Sequence, residues 1–140
     1  DATRTEALEA APKLGVKPNV HLLYAERLRQ AGSAVLRIER IFLIKDCFPN
    51  LQKSDLSQSL VASWKGEPLE ESGLVLTAHT LDPVEAARLG ARSGEAGLAT
   101  SCFVRAGDRP IWWARAVHHP RAVTMKGGAS GRLEWHIQLS

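Results

Sequence analysis

The sequence predicts one α/β (α+β) domain, in which two hairpins join one antiparallel sheet and a helix precedes each hairpin. Two segments, residues 20–44 and 97–118, read as strand, glycine turn and strand, with apolar and polar side chains alternating. Two Ala- and Leu-rich stretches end at Leu14-Gly15 and Leu89-Gly90, where glycine suits the position after a helix. A chain of 140 residues, 44% of them hydrophobic, is long enough for a single core.

An internal repeat supports this fold. Gly15 and Gly90 are 75 positions apart, and so are the turn glycines Gly32 and Gly107. Each half therefore reads helix, Leu-Gly stop, strand, glycine turn, strand. We expect two related αββ halves whose hairpins join one antiparallel sheet, with a pocket where the hairpins meet.

The first half of the chain gives the following expectations. A helix covers residues 1–14, and strands cover Val20–Arg29 and Ala34–Ile44. After a turn at Phe48-Pro49-Asn50-Leu51, a helix is expected over Leu56–Lys65, capped by Ser54 or Asp55. Its Leu56, Leu60 and Trp64 recur at the spacing of one apolar helix face.

The second half continues the same way. A strand is expected over Leu74–Leu81, and Asp82-Pro83 with Glu85 has the pattern of a capped helix start. A second hairpin joins Gly97–Arg105 to Pro110–His118. A polar, glycine-rich loop at Lys126–Gly131 then leads to a last strand, Leu133–Leu139.

Composition argues against several functional classes. The net charge is +3, but the basic residues are scattered, which does not favour direct nucleic-acid binding. No apolar run approaches the ~20 residues of a membrane span. The two cysteines, Cys47 and Cys102, form no CxxC pair, which fits a reducing cytoplasm and two small core residues rather than a disulfide or a metal site.

The first hairpin carries the charges that point to a ligand. Arg27 and Arg29 share one face of their strand, and Arg37 and Glu39 share one face of the next. If the turn centres on Ala31-Gly32, Arg27 lies opposite Arg37 and all four groups converge. A register slip of one residue would undo this. Such a cluster fits an anion-recognition surface, and a solvated sheet face with exposed ion pairs is the alternative.

A family resemblance rests on four stretches in a fixed order: RLRQAGSAVLRIERIFLIKDCFPNL (Arg27–Leu51), DLSQSL (Asp55–Leu60), PVEAARLG (Pro83–Gly90) and GDRPIWWARAVHHPR (Gly107–Arg121). Together they resemble the UTRA (UbiC transcription regulator-associated) domain. This is the effector-binding half of the HutC subfamily of GntR-type bacterial transcription regulators. The resemblance covers nearly the whole chain, and the ordered set of motifs carries it.

The resemblance implies a chorismate-lyase-like fold, with a mostly antiparallel sheet of about six strands flanked by helices. It also implies a domain that senses a small, often anionic molecule such as a phosphate or carboxylate. It implies a cytoplasmic homodimer with no cofactor. DNA binding would belong to an N-terminal winged helix-turn-helix domain. We expect residues 1–140 to be one effector-binding domain, with that DNA-binding domain absent from this sequence.

Residue by residue, the family's ligand-contacting positions fall on Arg27, Arg29, Glu39 and Ser59. Arginine can grip a phosphate or carboxylate with two charge-assisted hydrogen bonds. Ser59, at a helix start, could add its hydroxyl and free backbone N–H groups. Glu39 could accept hydrogen bonds from ligand hydroxyls or hold an arginine in place.

Two positions depart from the sugar-phosphate-binding members of the family. Trp112 stands where those members have an acidic residue, and His118 where they have a tyrosine. An indole in place of a carboxylate favours an aromatic or more apolar anion over a polyhydroxylated sugar. The alternative for the Trp112-Trp113 pair is that one ring is core and the other covers a subunit interface.

Four other functions have less support in the sequence. The fold is shared with chorismate pyruvate-lyase, so a lyase using Arg27, Arg29 and Glu39 is an alternative, but no lyase-specific motif is present. A dimerisation module with a degenerate pocket is the other alternative. Metal binding is disfavoured because His118 and His119 point to opposite faces of a strand, and a serine hydrolase because GxSxG is absent. The sequence therefore predicts a non-enzymatic sensor.

Overall fold

The computed structural model describes residues 10–17, 21–57, 60, 64–127 and 133–137. Five strands form one antiparallel sheet in the order β1-β2-β5-β4-β3. Their bounds are β1 Leu22–Ala31, β2 Ala34–Ile44, β3 Leu69–Thr80, β4 Ala96–Ala106 and β5 Arg109–His118. The predicted α+β fold with a mostly antiparallel sheet is confirmed.

A two-stranded antiparallel ribbon follows the sheet. It consists of β6 (Val123–Gly127) and β7 (Leu133–Ile137), with Val123 paired to Ile137 and Gly127 paired to Leu133. The last predicted strand is confirmed in β7. The prediction of a loop beginning at Lys126 was wrong, because residues 123–127 pair with β7 along their whole length. The partner that fixes β6 comes later in the chain, so its short sequence gave little sign of a strand.

The two hairpins repeat each other. β1 ends at Ala31 and β4 at Ala106, while β2 begins at Ala34 and β5 at Arg109, each pair 75 positions apart. The turn glycines Gly32 and Gly107 have φ angles of 60° and 59°. An L-residue with a side chain rarely adopts this left-handed conformation, which explains why both turns need glycine. The predicted internal repeat is therefore confirmed.

Helix ends follow their sequence signals. Residues 10–14 are helical and stop at Gly15. The helix Pro83–Leu89 begins with a capping box: the Asp82 carboxylate accepts a hydrogen bond from the Glu85 N–H (2.8 Å), and Glu85 Oε2 accepts one from the Asp82 N–H (3.2 Å). These two bonds satisfy backbone donors that the first turn leaves without intrahelical partners. Among the described residues, no helix has the length and apolar character that crossing a membrane needs.

The helix predicted over Leu56–Lys65 is described only in part, since residues 58–59 and 61–63 lie outside the described residues, and its two ends differ from the prediction. A 3₁₀ turn covers Lys53–Ser57, residue 60 is helical, and residues 64–65 are not. The Asp55 carboxylate accepts from the Gln52 N–H (2.7 Å), so it closes a turn that starts earlier than the predicted cap. The Trp64 ring N–H donates to the Glu67 carbonyl (2.7 Å), outside any helix. The apolar stripe is still used: Leu56, Leu60 and Trp64 all belong to or pack on one core cluster.

The chain divides into two compact units. The first comprises residues 1–27, 40–75 and 101–115, and it contains two apolar clusters, one around Phe48 and Trp112 and one around Phe42 and Trp113. The second comprises residues 28–39, 76–100 and 116–140, and its apolar cluster includes Ile38, Leu81, Leu89 and Val117.

The register of the first hairpin is symmetric about Ser33. The Lys45 N–H donates to the His21 carbonyl, the rings of Tyr24 and Phe42 are 5.2 Å apart, and Arg40 Nε lies 3.3 Å from Glu26 Oε2. The expected turn at Ala31-Gly32 was therefore wrong, and Arg29 rather than Arg27 lies opposite Arg37. The observed register differs from the expected one by two residues. Because two residues are one full period of a strand, each arginine keeps its predicted face.

The turn glycine offers a direct test of this hairpin. A Cβ added at Gly32 would meet no atom within 4 Å, so a substitution there costs only backbone conformation. We expect Gly32→Ala to lower the free energy of unfolding by about 1 kcal/mol. Gly32→Asn should lower it less, because asparagine tolerates this conformation better. Urea unfolding of both variants checks this, and equal losses would contradict it.

Candidate anion-binding site

Arg29, Arg37 and Glu39 form an ion-pair cluster in the second unit. Arg37 Nε and Nη2 both lie 2.7 Å from Glu39 Oε1, and Arg29 Nε lies 3.5 Å from the same oxygen. Both arginines reach Glu39 for a simple reason. Strand alternation puts Arg37 and Glu39 on the same face of β2, and the hairpin turn brings Arg29 of β1 opposite Arg37. The predicted convergence of guanidiniums on Glu39 is confirmed for these two.

Exposure differs sharply within this cluster. The Glu39 side chain is 10% exposed, the Arg37 side chain 25% and the Arg29 side chain 44%. A carboxylate removed from water needs a close partner of opposite charge, and Arg37 provides it. Arg29 makes the longer contact and is the more exposed, so its guanidinium donors are accessible from solvent. One carboxylate between two guanidiniums leaves one positive charge in excess, which suits an anionic ligand.

His118 is buried beside this cluster. Its Nε2 lies 2.8 Å from the Thr100 hydroxyl oxygen. The pKa of His118 is lowered to about 4, first by burial and then by the positive charge of Arg37, against the opposing effect of Glu39. His118 is therefore neutral at pH 7. It can donate one hydrogen bond and accept another, but it adds no positive charge to the site.

Thr100 was missed by the sequence analysis. It has no motif of its own, and its role depends on a hydroxyl that is buried against a histidine on the next strand. The signal that could have found it is the hairpin register. With the β4–β5 turn at Gly107, Thr100 and His118 fall close together on adjoining strands.

The remaining predicted site residues fall in or near the first unit. Arg27 Nη1 donates to the Leu56 carbonyl at 3.4 Å, which ties this guanidinium to the Lys53–Ser57 turn. Ser59 lies outside the described residues. Leu60 is buried in the cluster around Phe48.

Both rings of the Trp112-Trp113 pair are buried. Trp112 packs on Phe48, with ring centroids 5.9 Å apart, in one cluster. Trp113 stacks on Phe42 at 5.6 Å in another cluster. The alternative that one ring covers a subunit interface was therefore wrong: strand alternation sends the two rings to different cores of the same chain. Trp112 therefore has little exposed surface to offer a ligand.

The two adjacent histidines have separate partners. His118 contacts Thr100, whereas His119 Nδ1 accepts a hydrogen bond from the Arg121 N–H (3.1 Å). In the described part of the chain, no three His, Cys, Asp or Glu side chains are grouped as metal ligands would be.

The pKa of His118 leads to a prediction about pH. Between pH 6.5 and about 4, the unfolded chain binds a proton at this histidine and the folded chain does not. The free energy of unfolding should therefore fall as pH drops through this range, by about 3 kcal/mol from His118 alone. Burial also lowers the pKa of His119, which adds to the loss.

Urea unfolding at pH 7 and pH 4.5 tests this contribution. His118→Gln should reduce the difference in the free energy of unfolding between pH 7 and pH 4.5, because the variant lacks the imidazole. An unchanged difference in His118→Gln would show that the pKa of His118 is not lowered in the folded chain.

The comparisons with known proteins agree in fold. The structure is similar to YydK, a possible transcriptional regulator from Bacillus subtilis (TM-score 0.73, 21% identity), covering 79% of this chain but only 50% of that one. It is also similar to the C-terminal domain of the histidine utilization repressor from Pseudomonas syringae (TM-score 0.64, 20% identity, 89% of this chain and 84% of that one).

A third similar structure is the ligand-binding domain of a protein assigned to the GntR family of transcriptional regulators, from Bordetella bronchiseptica. Its TM-score is 0.67 at 18% identity, and the match covers 95% of this chain and 79% of that one. No match was found among the curated proteins. The model of the UTRA domain family matches residues 3–124. The chain therefore belongs to the UTRA domain family, as its motifs predicted.

Proposed function

We propose that this chain is the effector-sensing domain of a GntR-type bacterial transcription regulator of the HutC subfamily, and that it binds a small anion through Arg29 and Arg37. One observation carries the proposal: two guanidiniums share the single carboxylate of Glu39, and the less buried of them, Arg29, is 44% exposed. Membership of the UTRA family and the fold shared with regulator domains support the same conclusion.

Each residue of the cluster has a role in this proposal. Arg29 binds the anion, since its guanidinium can form two parallel hydrogen bonds to a carboxylate or phosphate. Arg37 supplies positive charge and is held in place by Glu39. The 2.7 Å contacts favour Glu39 as a positioning residue over the alternative that it accepts hydrogen bonds from ligand hydroxyls. Arg27 and Ser59 match the family's ligand-contacting positions, and on that ground we propose them as further ligand contacts.

The effector is best described as an aromatic or largely apolar carboxylate. Trp112 stands where sugar-phosphate-binding members have an acidic residue, so ligand hydroxyls lose an acceptor at that position. His118 is neutral and buried, which also lowers the polarity beside the Arg29–Glu39–Arg37 cluster. A guanidinium can form two parallel hydrogen bonds to a carboxylate, which fits this class of ligand.

The regulatory mechanism follows from linkage. The chain acts as a homodimer, and a linked winged-helix domain of the same regulator contacts DNA. An effector that binds one dimer geometry more tightly than another shifts the balance between them. The same coupling free energy then changes the affinity of the winged-helix domains for their operator.

An enzymatic alternative has less support. A lyase needs a general acid, and Glu39 is the acidic residue in the cluster. Its carboxylate accepts hydrogen bonds from Arg37 at 2.7 Å, which places it as an ion-pair partner rather than as a proton donor. The similar solved structures named above are domains of transcriptional regulators or whole regulators by their descriptions.

Ligand binding can be tested by thermal unfolding against phosphorylated sugars, phosphonates, aromatic carboxylates and fatty acids. A compound at 100 times its Kd adds about 2.7 kcal/mol to the free energy of unfolding, which raises Tm by several degrees. We expect aromatic carboxylates to give the largest shift. If no class shifts Tm, the dimerisation-module alternative is favoured.

Titration calorimetry with the compound that gives the largest Tm shift then tests the role of Arg29 in binding. Arg29→Ala should weaken binding at least tenfold, because a hydrogen bond to a charged group contributes about 1.5–3 kcal/mol. Arg121→Ala is the matched control, since Arg121 is also an exposed arginine paired with a glutamate, Glu95 (3.7 Å). Unchanged affinity in Arg29→Ala, or equal losses in both variants, would remove Arg29 from the site.

A further inference from the structure

Three chain reversals of the first unit enclose a cavity. The helix that stops at Gly15, the 3₁₀ turn Lys45–Cys47 and the β4–β5 turn contribute its walls, and its volume is about 560 Å³. Pockets that bind small molecules commonly have a volume of about 300–1,000 Å³. Among the described residues, those that line this cavity are all different from those of the Arg29–Glu39–Arg37 cluster. The cavity is therefore a second candidate site.

The lining of the cavity is partly apolar. Leu14 is buried in the cluster around Phe42, and Val16 and Ile44 pack against the same cluster. Pro110, near the start of β5, adds a further apolar ring. Because these side chains are held by the packing of the core, they offer a preformed surface to a small apolar group of a ligand.

Arg105 is positioned in this lining by uncharged groups. Its Nε donates to the Ser72 hydroxyl (3.1 Å), and its Nη1 donates to the Asp108 carbonyl (3.4 Å). The guanidinium also lies over the Phe103 ring, 5.6 Å from the ring centroid. A guanidinium has five N–H donors, so these contacts fix its orientation and leave most of its donors for a ligand.

Arg109 is also held by uncharged groups. Its Nη2 lies 3.6 Å from Cys47 Sγ, and its guanidinium lies over the Trp64 ring, 5.9 Å from the ring centroid. Burial raises the pKa of the Cys47 thiol, against the opposing effect of Arg109, and the negative charge of Asp46 raises it further. Cys47 is therefore a neutral thiol at pH 7 and does not compensate the charge of Arg109.

The charges of these two arginines are not neutralised within the lining. In the described part of the chain, neither Arg105 nor Arg109 forms an ion pair, in contrast to Arg40, whose Nε lies 3.3 Å from Glu26 Oε2. An arginine that is fixed by neutral partners keeps its positive charge for a ligand.

Lys13 gives the lining a third positive charge, and Asp46 and Asp108 bring two negative ones. Both aspartates are exposed, and among the described residues neither contacts a cation of the lining, so their carboxylates stay in contact with water. Coulomb energy falls with distance and is weak through water. An anion in direct contact with the guanidiniums is therefore attracted more strongly than the two exposed carboxylates repel it.

We propose that this cavity binds an organic phosphate that carries a small apolar group. The three terminal oxygens of a phosphate monoester can accept hydrogen bonds from donors on different elements, here Lys13 at the helix end, Arg105 on β4 and Arg109 on β5. A planar carboxylate offers only two oxygens to such donors. The apolar group of the ligand packs on Leu14 and Ile44.

Alkylation of Cys47 tests this site, because Cys47 lines the cavity whereas Cys102 does not. The rates at which iodoacetamide modifies the two cysteines are measured by peptide mass spectrometry, with phenyl phosphate as the probe and phenol as its neutral control. A ligand at ten times its Kd leaves about a tenth of the sites free. Phenyl phosphate at that concentration should therefore slow the reaction of Cys47 about tenfold and leave that of Cys102 unchanged, and phenol should slow neither.

Variants test the residues. Arg105→Ala and Arg109→Ala should each raise the concentration of phenyl phosphate that protects Cys47 at least tenfold, because each removes hydrogen bonds to a charged group. Each variant is compared with its own rate of alkylation without the probe. Arg92→Ala, at an exposed arginine outside the lining, is the matched control and should keep full protection. Arg29→Ala should also keep it, so the test is independent of the site proposed above.

The proposal is overturned if phenyl phosphate leaves the alkylation of Cys47 unchanged, or if phenol slows it equally. Equal slowing of Cys102 would also contradict it, since the compound would then stabilise the whole fold rather than fill the cavity. Loss of protection in Arg29→Ala would assign the phosphate to the Arg29–Glu39–Arg37 cluster and overturn the second site. The comparisons with phenol and Cys102 use the unchanged chain, so they decide the question even if a variant does not fold.

Discussion

The site depends on the register of the β1–β2 hairpin. Symmetry about Ser33 places Arg29 opposite Arg37, on the face that also carries Glu39. Glu39 is almost excluded from water, so it is stable as an anion only while a guanidinium contacts it. The arginines in turn repel each other unless Glu39 lies between them. A slip of one residue would turn Arg29 to the other face and remove its contact with Glu39.

Apolar residues hold these charged side chains in position. Ile38 lies between Arg37 and Glu39 in sequence, and Val117 precedes His118; both are among the most deeply buried side chains. Alternation sends Ile38 and Val117 to the opposite face, where they share one cluster with Leu81 and Leu89. Each strand is thus anchored by the neighbour of a site residue, and a site built on such strands is held more precisely than one on loops.

Local signals predicted the fold because they repeat and agree. The Leu-Gly helix stops, the turn glycines and the Asp82 cap act within a few residues, and all are confirmed. Two elements were not predicted. β6 depends on pairing with β7, and in the 3₁₀ turn at Lys53–Ser57 the Asp55 carboxylate accepts a hydrogen bond from the Gln52 N–H.

The site was predictable in its charges but not in its surroundings. The alternation of side chains along a strand predicted the faces of Arg29, Arg37 and Glu39, because such a prediction needs only the two-residue period of a strand. The position of the turn decides which arginine of β1 lies opposite Arg37. Because the expected register differed by two residues, Arg27 was predicted there and Arg29 is found. Burial of Trp112 and His118, and the hydroxyl of Thr100 beside His118, depend on packing from several segments. Sequence periodicity carries no information about such packing.

The most direct test of the central claim observes the arginines themselves. Proton–nitrogen NMR spectra of the Arg29 and Arg37 Nε–H groups, assigned with Arg29→Lys and Arg37→Lys, can be recorded while benzoate is added, and again with neutral benzamide. Binding of the carboxylate by this cluster predicts that both signals shift with benzoate and neither shifts with benzamide. If both signals stay unchanged while benzoate raises the Tm of the chain, the anion binds elsewhere and the account of the site is wrong.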